Sequence, residues 1–127
     1  MKPRAYKFDT RVFSGVAIMR CRDSHYHSDC DVAFSNALNA ALDVAETQIV
    51  IVDMSVVRLF SSSALCAVRA AHSRAAEGGG RIVAAGGGEL VINVLKFAPF
   101  ITHRDTVAEA LSQYSEDAAR AFAKAEG

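Results

Sequence analysis

The sequence has 127 residues, 51% of them hydrophobic, with 14 Lys and Arg set against 14 Asp and Glu. That length is the scale of one domain with an ample core, and the even charge excludes the basic excess of a nucleic-acid or anionic-membrane binder. No apolar run approaches the roughly 18 residues of a membrane helix. The opening MKPRAYKFDT lacks the apolar centre of a signal peptide, and three cysteines, an odd number, point to reduced thiols. The expectation is a cytoplasmic, soluble single domain over residues 1–127, with no nucleic-acid partner and no direct membrane insertion.

Residues 4–9 and 11–20 read as two strands of a hairpin, punctuated by Ser14-Gly15. A polar stretch from Cys21 to Cys30 follows. From about Asp31 to Ala45, Phe34, Leu38, Ala41, Leu42 and Ala45 recur at helical spacing, with Ser28, Asp29 or Asp31 as the expected cap. Ile49-Val50-Ile51-Val52 is a continuous β-branched run, the mark of a strand buried on both faces of a mainly parallel sheet. It extends to Met54. A helix over about Ser62–Glu77 puts Leu65, Val68, Ala71 and Ala75 on one stripe and Ser62, Cys66, Arg69 and Ser73 on another. Arg81–Ala85 is the next strand, Leu90–Phe97 a short helix closed by Pro99, and Phe100–His103 the last strand. Thr106-Val107-Ala108-Glu109 has the form of a capping box. It opens one helix running to about Glu126, roughly 30 Å long, with Val107, Leu111, Tyr114, Ala118, Phe122 and Ala125 on its stripe. That exceeds what closing the fold needs, so Tyr114, Ala118 and Phe122 are expected to bury against a second copy or a partner. The alternation of strands and helices predicts an α/β fold: a mixed, mainly parallel sheet of about five strands with about four helices.

Several constellations could carry chemistry. Ser61-Ser62-Ser63 falls at a helix N-terminus, where free N–H groups and the dipole tolerate negative charge. Such a turn can be a phosphate site, a phosphoacceptor or merely a cap. Cys21, His25, His27 and Cys30 are zinc-type ligands, but their spacing fits no standard site, and an ordinary polar loop is the favoured reading over a metal or a Cys21–Cys30 redox pair. Cys66 reads as a half-buried helix cysteine rather than an oxidant sensor. Gly86-Gly87-Gly88 lacks the residues of a phosphate-binding loop and reads as a flexible turn. No nucleophile–base–acid set stands out, so no enzyme activity and no cofactor are expected.

Asp53-Met54-Ser55-Val56-Val57-Arg58-Leu59-Phe60-Ser61-Ser62-Ser63-Ala64-Leu65 resembles the strand-to-helix signature of STAS domains, the anti-sigma factor antagonists and their relatives. The resemblance covers about residues 6–115, is strongest from Ile49 to Leu65, and is weak before Ala45. It implies a STAS fold with a core at about 6–115 and an extended terminal helix at about 106–126. By position, Ser62 matches the family's phosphoacceptor, Ser61 the acid before it, and Ser63 the second hydroxyl. Two positions depart, Ser61 standing for Asp and Ala64 for Gly. The implied role is to bind an anti-sigma factor, an ATPase-type Ser kinase, and free a sigma factor, with phosphorylation of Ser62 as the switch. The implied face is Asp53, Arg58, Ser61, Ser62, Ser63, Cys66, Arg69 and Ser73. Alternatives are a free-standing STAS subunit of a lipid or anion transporter, or a redox- or metal-sensing STAS domain.

Overall fold

The computed structural model describes residues 5–126, so Arg4 of the first expected strand lies outside them. Strands β1 (Phe8–Phe13) and β2 (Val16–Cys21) form the hairpin. Ser14 and Gly15 both have positive φ, at 48° and 80°, which is what a two-residue turn matched to strand twist demands. The expected boundary between the strands was therefore too early. Next come β3 (His25–Tyr26), a 3-10 turn (Ser28–Cys30) and α1 (Asp31–Val44). No side chain caps α1: its N-cap is Cys30, and the turn before it replaces the expected Ser or Asp cap. β4 (Ile49–Asp53), β5 (Leu59–Phe60), α2 (Ser62–Glu77), β6 (Arg81–Ala85), α3 (Glu89–Leu95) and β7 (Thr102–Arg104) follow. The chain closes with α4 (Val107–Tyr114) and α5 (Glu116–Glu126).

The main sheet has the order β1-β2-β4-β6-β7, with β1 antiparallel to β2 and every other pair parallel. β4 sits at its centre, and its β-branched run is buried on both sides as the sequence demanded. Val50 and Val52 face α1, α2 and α3, packing with Phe34, Leu38, Val68 and Val91. Ile51 faces α4 and α5, with Val16, Ile18, Val83 and Leu111. A five-stranded mixed sheet between two helical layers thus agrees with the expected class. β3 and β5 form a separate two-stranded parallel pair that no periodicity announced.

The single terminal helix is corrected to two. Ser115 adopts an extended conformation, φ −161° and ψ 112°, and its Oγ accepts a bond from the Ala118 N–H at 3.1 Å. A serine followed by Glu116 and Asp117 starts a new helix by capping it and placing acids in its first turn. Only half of the expected capping box forms around α4, the Thr106 Oγ1 accepting from the Glu109 N–H at 3.1 Å. Because the chain turns at Ser115, α5 folds back over β1. Ala118 is buried and Tyr114 and Phe122 pack against the chain's own sheet, with the Phe122 ring edge-on to Phe13 at 5.8 Å. The expectation that these side chains await a second copy is therefore overturned. No helix among the described residues is long and apolar enough to cross a membrane.

His72 ties α2 to the sheet. Its Nδ1 accepts the Ile82 N–H at 3.2 Å, which only an unprotonated nitrogen can do. Burial, with a smaller contribution from the Arg81 charge, pushes its pKa below the ordinary 6.5. The unfolded chain therefore binds more protons as pH falls through 6.5, so this contribution to stability is complete above that value and declines below it. Melting temperatures at pH 7.5 and pH 5.5 should differ less in His72→Gln than in the wild type. An equal pH slope in both would assign the effect to other groups.

Candidate functional site

The serine turn is built by two strands meeting over the end of a helix. β5 pairs with β3 through His25 against Leu59 and Tyr26 against Phe60. The Ser61 N–H then donates to the Tyr26 carbonyl at 3.0 Å. The Ser61 hydroxyl donates to the His27 carbonyl at 3.0 Å and accepts from the Ala64 N–H at 3.3 Å, so Ser61 is the N-cap of α2. The Cys30 Sγ lies 3.7 Å from the same oxygen. Ser61 is thus engaged on every side. The position is specific to a hydroxyl: an ionised Asp could cap but could not donate to the His27 carbonyl. Ser61→Ala should lose about 0.5–2 kcal/mol through the missing cap, read by denaturant melts. A loss below the lower bound would show that water replaces the hydroxyl freely.

One residue further on, the situation differs. Ser62 is the first residue of α2, is exposed, and its hydroxyl makes no hydrogen bond among the described residues. Ser63 is half-buried and turns toward α1, lining a shallow groove of about 400 Å³ with Asp31, Val32, Ser35 and Cys66. Of the three hydroxyls, Ser62 is the one held open to solvent. A phosphoryl group there would add about −1.5 to −2 charges and sit where the helix dipole favours an anion by about 0.3–1 kcal/mol.

Cys66, Arg69 and Ser73 are exposed and continue the line of Ser62 along α2. The expected half-buried Cys66 is corrected, because its stripe faces away from the core that Val68, Ala71 and Ala75 enter. Arg69 places its guanidinium over the Phe100 ring at 5.6 Å. Arg58 is exposed and its N–H donates to the Ser24 carbonyl at 2.7 Å. There the loops after β2, β4 and β6 meet, and Arg58 lines a cleft of about 560 Å³ with Ser55, Gly87 and Gly88. Asp53 stands apart from the rest. It shares the sheet face of Ile18 and Arg20 on the α4 and α5 side, and its carboxylate accepts from the Ser55 N–H at 3.0 Å and from the Ser55 hydroxyl.

The Cys21–Cys30 segment proves to be a brace rather than a free loop. Cys21 and Cys30 are separately buried, and burial pushes both thiols up, away from the reactive thiolate. Tyr26 is fully buried and packs edge-on to Phe34 at 5.3 Å. The rings of His25 and His27 stack at 5.9 Å. Among the described residues no group of three or more metal-ligating side chains converges. The glycine turn is also more fixed than expected: Gly86 and Gly87 have φ of +76° and +99°, and a Cβ on Gly87 would lie 2.9 Å from Val91 Cγ1. Sequence reasoning missed the β3–β5 pair and its grip on Ser61. The one signal was Tyr26, an aromatic residue alone among polar neighbours, and the short apolar pair Leu59-Phe60.

No protein-family model matches the chain, and no curated protein matches it by sequence. Solved structures do match. An anti-sigma factor antagonist from Mycobacterium paratuberculosis aligns with a TM-score of 0.70 at 17% identity, over 88% of this chain and 96% of that one. The phosphorylated form of SpoIIAA, a Bacillus cell fate determinant, aligns with a TM-score of 0.64 at 14% identity, over 87% of this chain and 100% of that one. A Thermotoga maritima protein, a candidate anti-sigma factor antagonist, aligns with a TM-score of 0.69 at 17% identity, over 84% and 92%. With the serine turn at the head of α2 and the mixed sheet between two helical layers, the conclusion is that this chain has the STAS fold, the fold of the anti-sigma factor antagonists.

Proposed function

We propose that this protein is a regulatory interaction module of the anti-sigma factor antagonist type, without catalysis of its own. Its partner is an ATPase-type Ser kinase that restrains a sigma factor, and phosphorylation of Ser62 ends their association. The observation that carries this reading is the contrast within the turn: Ser61 is consumed by capping and bracing, whereas Ser62 presents an open hydroxyl at the head of a 16-residue helix. The partner's footprint on this reading is Ser62, Ser63, Cys66, Arg69 and Ser73, with Arg58 at its border. Phosphate at Ser62 leaves the fold intact and obliges a docked partner to strip water from a dianion.

The test is incubation with ATP and purified ATPase-type anti-sigma kinases of the same organism, followed by mass spectrometry of the peptide spanning residues 59–69. Phosphate on Ser62, with none in Ser62→Ala, is the expected result. A complex that forms but leaves residues 61–63 unmodified would remove the switch and keep the interaction. Absence of both would overturn the reading.

A further inference from the structure

β1 is an edge strand of the main sheet, and its outer side is unpaired among the described strands. The backbone bond from the Arg22 N–H to the Lys7 carbonyl, at 3.0 Å, fixes which residues bond inward to β2. Antiparallel ladders alternate, so Lys7, Asp9, Arg11 and Phe13 bond inward, and Phe8, Thr10 and Val12 turn their N–H and C=O groups outward. Such an edge is a template for another strand. From this geometry we propose that β1 pairs antiparallel with β1 of a second copy about a two-fold axis at Thr10, joining two five-stranded sheets into one.

The charges select the second copy and the register. With the axis at Thr10, Phe8 faces the second copy's Val12, Thr10 faces Thr10, and all three outward residues form hydrogen-bonded pairs. Asp9 then stands opposite Arg11, and symmetry repeats the pair. These are the non-hydrogen-bonded positions, where side chains lie closest. The neighbouring registers that keep the same bonding fail. One sets Asp9 against Asp9 and Arg11 against Lys7, and the other sets Arg11 against Arg11. Within one copy Asp9 already pairs with Arg22, and Arg11 with Glu126. Association therefore orders four charges in alternating sign, Arg22, Asp9, Arg11 and Glu126, across the axis. The apolar side fits as well. Val12 is 43% exposed in the single chain. Beside β1, on its α1 side, Ala33, Ala37 and Ala40 leave an open groove of about 600 Å³. The second copy's Val12, opposite Phe8, would lie in it. An isologous contact of this kind closes on itself and leaves no further edge to propagate. It stands independently of the Ser62 reading.

The experiment is sedimentation velocity with light scattering on the full chain, from about 1 μM to about 1 mM. A concentration-dependent dimer is expected. Asp9→Arg and Arg11→Asp should each raise the midpoint concentration at least about tenfold, since each sets like charges opposite each other. The double variant restores attraction across the axis while leaving Arg22 and Glu126 beside like charges, so its midpoint should fall below that of either single variant without reaching the wild-type value. Thr10→Pro removes only an outward N–H, which an edge strand tolerates, and should abolish the dimer with circular dichroism unchanged. A wild type that stays monomeric throughout would overturn the proposal. So would a dimer indifferent to Thr10→Pro, or one in which the double variant associates no better than either single variant, since either places the contact elsewhere.

Discussion

On the proposed reading, Ser62→Glu should weaken capture of a kinase partner by at least about a hundredfold while leaving circular dichroism and melting close to wild type. The two halves have different physical origins. Within the chain, the new carboxylate sits at the first position of α2, where exposed N–H groups and the dipole favour it by about 0.3–1 kcal/mol. No partner of Ser62 is lost, because its hydroxyl bonds to nothing among the described residues. At an interface the same charge must be desolvated without a counter-ion, which costs about 3–5 kcal/mol. That converts to roughly two to three and a half decades in affinity. Ser62→Ala introduces no charge and should bind within about twofold of wild type. The measurement is calorimetric titration with the purified kinase. Equal affinity for wild type, Ser62→Ala and Ser62→Glu would place Ser62 outside the interface.

Phe34→Ala should be the most damaging single change to stability, at about 3–5 kcal/mol. Phe34 is fully buried on α1 and meets Phe8, Tyr26 and Phe60 edge-on, at 5.3, 5.3 and 5.6 Å. Those rings belong to three different strands, β1, β3 and β5, so no one element can shift to fill the space. The melting temperature should fall by roughly 10–25 °C. A local consequence follows from the route by which Ser61 is held. Tyr26 supplies the carbonyl that binds the Ser61 N–H, and Phe60 precedes the cap. Loosening both should speed hydrogen exchange at the Ala64 amide relative to amides late in α2. A loss below about 1 kcal/mol would mean that the cluster collapses into the cavity without strain.

The elements with a strong local signal were legible without coordinates. Ile49–Val52 reads as a strand covered on both faces, and β4 is the central strand between β2 and β6. α2 spans Ser62–Glu77 and β6 spans Arg81–Ala85, the limits expected from a serine cap, a helical stripe and a glycine stop. The exposed line of Ser62, Cys66, Arg69 and Ser73 follows from helical geometry alone. Each of these is decided by residues within one or two turns of one another.

What failed depended on contacts between distant residues. β3 and β5 are two residues each, too short to show a period, and exist because Tyr26 and Phe60 share Phe34 as a common neighbour. Cys21, His25, His27 and Cys30 look alike on paper as ligands. Folding buries the two thiols and leaves the imidazoles outside, so the segment becomes the brace of Ser61. The terminal stripe of Tyr114, Ala118 and Phe122 is apolar in either reading. Only the cap at Ser115 and the open surface of Phe13 decide that it covers the chain's own sheet rather than a partner. Composition fixes that a face must be buried, through the hydrophobic effect, but which surface buries it is set by where the chain turns back.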